Sequence, residues 1–337
     1  MTLSDWYRPV RYLPRWHTSL VTSQTITADA AGTRTLGDLT VNRIGLGAMR
    51  LTSNADGTAS ERSRVIAVLR RALELGVNHI DTAAFYFSSL RSANELINRA
   101  LAPYPDDLVI ATKVWPGRDP SGEWWWATPQ QLRGQVEENL RQLGRDHLDV
   151  VNLRLPRRLK TGSIAEHFGA LAGLRDAGLI RHLGISNVTP AHLAEAQAIA
   201  PVVCVQNAYG VGAPAQEQEF LRTCGEQGVA YVPFFAIAGQ GREAGTSESA
   251  GILAVAHAHG ATAAQVKLAW TLRQGSHVLA IPGTGDPGHL EANVAAGSLR
   301  LSAGELARLG LTGERADVGT GQGGSPTDTA VPPRSAR

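Results

Sequence analysis

Val77-Asn-His-Ile-Asp81 and Val109-Ile-Ala-Thr-Lys113 decide the fold. Each is a short apolar run that ends on an ionisable side chain. A strand buried on both faces should be almost wholly apolar, so a charge at its end carries information. The same design recurs in Val150-Val-Asn-Leu-Arg154. Side chains alternate between the faces of a strand. Val77, His79 and Asp81 therefore share one face, as do Val109, Ala111 and Lys113, and Val150, Asn152 and Arg154. If that face points inward, Asp81, Lys113 and Arg154 converge at one end of a cavity. Ser186 and Asn187 close a further run, and Gln206 nearly closes the next.

Working outward, apolar runs at 43–49, 77–83, 108–114, 149–155, 180–186, 202–208, 229–235 and 278–282 read as eight strands, with a hairpin near 35–41 ahead of them. The segments between carry helical spacing. Val65, Val68, Leu69, Ala72 and Leu75 share one face, and so do Leu132, Val136, Leu140 and Leu143. Thr128-Pro129 and Thr189-Pro190 fit helix starts, a cap residue followed by Pro in the first turn. Alternating strands and helices argue for parallel β/α units. Eight such repeats fill about 250 residues, the usual size of a TIM barrel. The expected class is thus α/β, a (β/α)8 TIM barrel with an N-terminal β-hairpin. A doubly wound open sheet should show a Gly-rich turn after its first strand. Here Gly45-x-Gly47 lies inside the strand and lacks the third Gly.

The organisation expected is a loosely ordered extension at 1–33, a barrel at 34–312 and a disordered tail at 313–337. The extension contains Trp6, Tyr7, Arg8, Arg11, Tyr12, Arg15 and Trp16, and the tail is rich in Gly, Ser, Thr and Pro. Of the 337 residues 43% are hydrophobic and the formal charge is only +2. No stretch concentrates Lys and Arg, which argues against a nucleic-acid partner. Cys204 and Cys224 form no CxxC pair and read as buried free thiols in a reducing compartment. No apolar run reaches the roughly 18 residues of a membrane span. With no apolar signal segment at the start, the expectation is a soluble, cytoplasmic protein. A metal-dependent barrel hydrolase would want two His one residue apart at the end of the first strand. Leu46-Gly-Ala-Met49 has none, and no metal is expected.

Tyr86 follows Asp81 on the loop above the second strand. A phenol is a poor acid at neutral pH, and a neighbouring ammonium such as Lys113 improves it. Asp81 can hold that ammonium in place, so that a buried cation is not left unpaired. The trio suits protonation of a carbonyl oxygen as hydride reaches its carbon.

Asp81-Thr-Ala-Ala-Phe-Tyr86, Ala111-Thr-Lys113, Gly184-Ile-Ser-Asn187, Val205-Gln206-Asn207 and Ile281-Pro-Gly-Thr284, followed by Asn293, together resemble the aldo-keto reductase family. The resemblance spans about residues 35 to 311 in order and spacing, and it implies a barrel that binds NADPH across its mouth without a Rossmann fold. It assigns the catalytic positions Asp81, Tyr86 and Lys113. The family's fourth catalytic residue, a His five positions after an Asp, falls on Arg154. His147 precedes the strand and belongs at the opposite end. The Asn-Leu-Arg ending is similar to that of a pyridoxal-reductase-like branch. Arg keeps its proton and offers fixed donors, so it can orient a carbonyl but cannot cycle a proton.

The resemblance further implies that Ser186, Asn187 and Gln206 bind the nicotinamide carboxamide, that Phe234 stacks on the ring, and that Asn293 meets adenine. Gly283 and His289 stand where relatives carry basic residues. Thr284 and backbone N–H groups at the following helix start remain to bind a 2′-phosphate, and NADPH is preferred to NADH. Trp115, Trp124, Trp125 and Trp126, with Phe85 and Phe87, suggest a wall for a small, aromatic carbonyl substrate. The Gly- and Ser-rich stretch 239–250 suggests a mobile flap. The competing expectation is a slow or non-catalytic NADPH sensor, against which the retention of Asp81, Tyr86 and Lys113 argues. The sequence is silent on quaternary state.

Overall fold

The computed structural model describes residues 26–53, 58–88, 90–156, 162–237 and 248–314. The aromatic and basic cluster at 6–16, the tail beyond 314 and most of the expected flap lie outside them. In chain order the strands are β1 (Thr33–Leu36), β2 (Leu39–Asn42), β3 (Leu46–Gly47), β4 (His79–Asp81), β5 (Phe87–Ser88), β6 (Arg91–Ser92), β7 (Val109–Val114), β8 (Pro116–Arg118), β9 (Trp124–Trp126), β10 (Leu148–Arg154), β11 (Ile180–Ser186), β12 (Val202–Gln206) and β13 (Ala230–Tyr231). Seven of them form one parallel sheet in the order β13-β12-β11-β10-β7-β4-β3. Sequential strands joined by helices and paired with their neighbours are the β/α repeat read from the sequence.

The eighth stave closes the barrel through single parallel bridges. Val278 pairs with Tyr231, Ala280 with Ile44 and Gly283 with Gly47. Gly45 N–H donates to Ala280 O at 2.8 Å, and Gly47 N–H to Pro282 O at 3.2 Å. Of the two glycines in the first strand, Gly47 serves this seam and Gly45 makes room for a ring on the neighbouring β4. A Cβ on Gly47 would stand 2.6 Å from Ile281 O, and one on Gly45 would stand 2.3 Å from the His79 ring. The fold is a (β/α)8 barrel.

Three boundaries differ from the sequence reading. Ordered chain begins before residue 34: Ala28–Ala31 is a 3-10 helix whose buried Ala28 donates to Leu75 O at 2.8 Å. The first strand ends early, because Ala48–Leu51 turns into a 3-10 helix and carries Met49 onto the mouth. The strand expected at 229–235 is regular only at Ala230–Tyr231. Pro233 has no N–H to give the ladder, and Phe235 turns away at φ 65°. Phe234 rejoins by a bridge to Ala208.

The inward face is the one expected. Val109, Val150, Cys204, Ala230, Val232 and Leu279 form the barrel's inner cluster, and Leu36 and Val41 of the β1–β2 hairpin plug its floor. Opposite-parity residues such as Ile80, Ile110, Val151 and Leu153 belong to the larger core shared with the helices. Each fully buried side chain of this size contributes about 1.5–3 kcal/mol. Asp38, at the hairpin turn, binds Arg181 at 2.6 Å and His182 at 2.5 Å, which fixes the plug beneath β11.

Candidate active site

The open end of the barrel holds a cavity of about 240 Å³. Asp81, Tyr86, Lys113, Arg154, Gln206, Phe234 and Gly283 line it, together with Met49, Arg50, Phe235, Ile237, Ile281 and Pro282. Three strand-end charges from β4, β7 and β10 therefore meet where the alternation put them.

Lys113 is 2% exposed and its Nζ donates to Asp81 Oδ1 at 2.6 Å and to Thr82 O at 2.9 Å. Such a buried ammonium is tolerable only because a carboxylate and a carbonyl replace its water. The second carboxylate oxygen accepts from Gln206 Nε2 at 2.7 Å. Lys113 Nζ lies 4.9 Å from the centroid of the Tyr86 ring, close enough to act on the phenol electrostatically. Behind the pair a second polar layer faces the helices. Thr82 donates to Asn94, Thr112 and Asn94 both donate to Asn139 Oδ1, and Asn139 is tied to Gln135 O. Thr82 and Thr112 have the outward parity of β4 and β7, a signal the sequence reading passed over. Their bonds anchor the two strand ends that carry Asp81 and Lys113.

Arg154 and Ser186 are register partners across β10 and β11, and Arg154 Nη1 donates to Ser186 Oγ at 2.9 Å. The guanidinium carbon lies 4.9 Å over the Phe234 ring. Asn187 adopts φ 60° and donates from Nδ2 to Leu155 O at 2.9 Å. Gln206 is 1% exposed, and its Oε1 is buried with no hydrogen-bond partner. A buried acceptor without a donor costs about 1–3 kcal/mol and calls for an explanation. A primary carboxamide at the mouth would supply the missing N–H, so this end of the site fits a nicotinamide.

The phosphate end differs from expectation. Thr284 is buried, and its hydroxyl accepts from Asp286 N–H at 3.0 Å. Asp286 caps the helix Pro287–Ala295 by accepting the His289 N–H at 3.0 Å. That donor, expected to be open to an anion, is already taken. Asp286 also pairs with Arg64, and the cap, with this partner, holds its carboxyl below the usual range. Asn293, on the same helix, is buried. The sequence reading missed Arg50. Its Cγ lies 3.6 Å from where a Cβ on Gly283 would stand, so its stem covers the glycine that replaces the expected basic residue.

The aromatic candidates divide. Trp115 is 4% exposed, stacks on His167 at 4.0 Å and lines neither this cavity nor its neighbour. Its backbone, at φ 93°, is pinned by Gln135 on both sides, so Trp115 turns and anchors the loop and is not a wall of the pocket. Trp124–Trp126 form β9, paired antiparallel with β8. Trp125 lies across Gly117, and Trp124 is exposed, stacked on Trp126 at 6.5 Å and edge-on to Phe85 at 5.5 Å. Phe85 in turn meets the Tyr86 ring edge-on at 5.1 Å. Phe85, Phe87 and Trp125 line a wider, more open groove of about 880 Å³ that shares Lys113 with the first cavity.

Among the described residues, no helix is long and apolar enough to cross a membrane, and no cluster of His, Cys, Asp and Glu is arranged to hold a metal. The profile of the aldo/keto reductase family matches residues 43–310. A pyridoxine 4-dehydrogenase of Escherichia coli is 43% identical over 286 residues, covering 83% of this chain and 98% of that protein. A methylglyoxal reductase of the same organism is 32% identical over 280 residues, with 81% and 91% covered. The crystal structure of an aldo-keto reductase from Klebsiella pneumoniae in complex with NADPH superposes with a TM-score of 0.69 at 28% identity, covering 81% of this chain and 91% of that one.

Proposed function

This chain belongs to the aldo/keto reductase family and is an oxidoreductase, and on that footing we propose that it transfers hydride between NADP(H) and a small aromatic aldehyde of the pyridoxal class. The observation that carries the reading is the convergence of Asp81, Tyr86, Lys113 and Arg154 on one cavity, beside the buried, unpartnered acceptor of Gln206. The bound cofactor supplies the hydride. Ser186, Asn187 and Gln206 hold the carboxamide, and Phe234 packs against the ring. Arg50 offers a cation to the phosphates where Gly283 offers none, with Thr284, His289 and Asn293 toward the adenosine. The NADPH in the Klebsiella structure supports the choice of cofactor.

Tyr86 is the proton donor to the carbonyl oxygen, with the Lys113 ammonium beside its ring and Asp81 holding that ammonium. Arg154 orients the carbonyl and keeps its own proton throughout. The pyridoxine 4-dehydrogenase relative supports a hydroxylated aromatic ring as substrate, and the apolar walls Met49, Phe235 and Ile237 suit a flat one. Phe85, Phe87, Trp124, Trp125 and Trp126 lie at the rim, where they shape entry.

Single-turnover oxidation of NADPH with pyridoxal and a panel of aromatic aldehydes tests the reading. Tyr86→Phe is expected to slow it about 10²–10⁴-fold with NADPH affinity preserved. Tight NADPH binding without turnover of any carbonyl would instead favour a sensor.

A further inference from the structure

The loops after β4 and β7, with the helices Ala93–Leu101 and Leu132–Leu143 that follow them, flank the groove of about 880 Å³ beside the mouth. That volume lies in the usual range for a small-molecule site. The groove is distinct from the catalytic cavity. Tyr86 lines the cavity, its neighbours Phe85 and Phe87 line the groove, and among the described residues only Lys113 lines both. The groove also carries more positive charge than its own side chains neutralise. Lys113 is held by Asp81, and Glu138 is bound by Arg141 and Gln142. Arg91 and Arg118 are left against the exposed Glu95. Their hydrogen bonds go to backbone carbonyls: Arg91 Nη1 to Leu90 O at 3.0 Å, Arg118 Nε to Gly122 O at 3.2 Å and Nη1 to Phe87 O at 3.4 Å. Among the described residues no carboxylate pairs with either guanidinium. Arg91 stands in register with Ser88 across β5 and β6, and Arg91 Nε and Ser88 Oγ are both buried without a hydrogen-bond partner. Two orphaned donors side by side call for an acceptor. Opposite them, Arg118 is held over the rings of Phe87 at 5.0 Å and Trp124 at 5.4 Å.

We propose that this groove is a second binding site, separate from the catalytic cavity, for a small aryl phosphate. Arg91 and Arg118, on facing loops, clamp the anionic group, and Ser88 adds a hydroxyl donor. Guanidinium is the side chain best matched to phosphate, because its N–H groups form a planar fork. Three donor side chains suit the three oxygens of a phosphate monoester better than the two of a carboxylate. Phe87 and Trp125, which line the same groove, receive the ring. The inference does not depend on the reaction proposed above.

Isothermal titration calorimetry of the intact protein tests it, with phenyl phosphate, inorganic phosphate and benzoate as probes. Phenyl phosphate should bind about tenfold more tightly than either of the others. Arg91→Gln and Arg118→Gln should each weaken phenyl phosphate about tenfold, the loss of one charge-assisted contact. Trp125→Ala should weaken phenyl phosphate while leaving inorganic phosphate within about twofold. A cooperative thermal melt reports that each variant is folded, and the two Arg variants, on different loops, check one another. Saturating NADPH should leave phenyl phosphate binding intact. Wild-type protein that binds no phenyl phosphate overturns the proposal, as does an affinity unchanged in both Arg variants. Displacement by NADPH overturns it too, because the probe would then occupy the catalytic cavity. Inorganic phosphate or benzoate binding as tightly as phenyl phosphate overturns the assignment to an aryl phosphate.

Discussion

The centre of the barrel mouth and its rim are built from the same kinds of residue, polar groups and aromatics, yet they obey different rules. At the centre Asp81, Lys113, Arg154, Ser186 and Gln206 sit at the ends of paired strands; Asp81 holds Lys113 and Ser186 holds Arg154 from adjacent strands, and Gln206 reaches across the barrel to Asp81. Their positions follow from the period-2 alternation of the strands, which admits no freedom once one face is buried. On the rim Trp124 and Trp125 project from a two-stranded ribbon, while Trp115 folds inward from the same loop. No periodicity governs which way a loop side chain turns. What the contrast teaches is that strand-end chemistry is legible and loop chemistry is not.

The sharpest way to break the contrast is to remove a central residue. Lys113→Met leaves the Asp81 carboxylate buried with only Gln206 to stabilise it. Breaking a buried pair this way costs about 3–5 kcal/mol, well beyond what a solvated pair gives. The expected result is a large fall in thermal stability together with loss of turnover. The double change Asp81→Asn with Lys113→Met should recover much of the stability but none of the activity. Thermal melts and single-turnover kinetics on the same preparations check both halves. A Lys113→Met protein as stable as wild type would mean that the pair is not buried as described.

On the rim, the expected effects separate by burial. Trp115→Ala removes a ring stacked on His167 in the core and should cost about 3–5 kcal/mol. Trp124→Ala, half exposed, should cost under about 0.5 kcal/mol and act instead on KM for bulky aldehydes. Chemical denaturation of the two variants decides it. Equal losses would erase the distinction between anchor and rim.

This division explains how much was legible in the sequence. The barrel, its N-terminal hairpin and the inward parity of the strands were readable because alternation and helix spacing act locally. The weak eighth stave was readable as an apolar run, although the structure pairs it only through bridges at Val278, Ala280 and Gly283. Asp286 was not readable as the group that takes the His289 N–H, since a cap and an open anion site share one sequence signature. Arg50 was missed because the first strand ends in a 3-10 turn that brings it over Gly283 from the far side of the barrel seam. Trp115 was misjudged because its left-handed backbone depends on Gln135, twenty residues away in the chain.

A pH-dependent effect tests the layer directly beneath the site. His79 shares the inward face of Asp81, and both of its ring nitrogens are buried without hydrogen-bond partners. Burial lowers its pKa to about 4, with the Asp81 charge opposing the shift in part. In the folded protein the ring is therefore neutral well below the pH at which the unfolded chain takes up a proton. Between the unfolded value of 6.5 and about 4, the unfolded state binds more protons, so stability falls as pH falls through that window. Integrated from pH 7 to pH 5, this loss amounts to about 2 kcal/mol. His277, also lowered by burial, adds in the same direction. His79→Gln should lower the overall stability, because it removes a ring packed closely against Gly45, and yet flatten the slope between pH 7 and pH 5. The slope is the measurement that matters, since it subtracts the packing defect common to both pH values. A variant that loses stability over this range as steeply as wild type would show that His79 takes up its proton in the folded barrel as readily as in the unfolded chain.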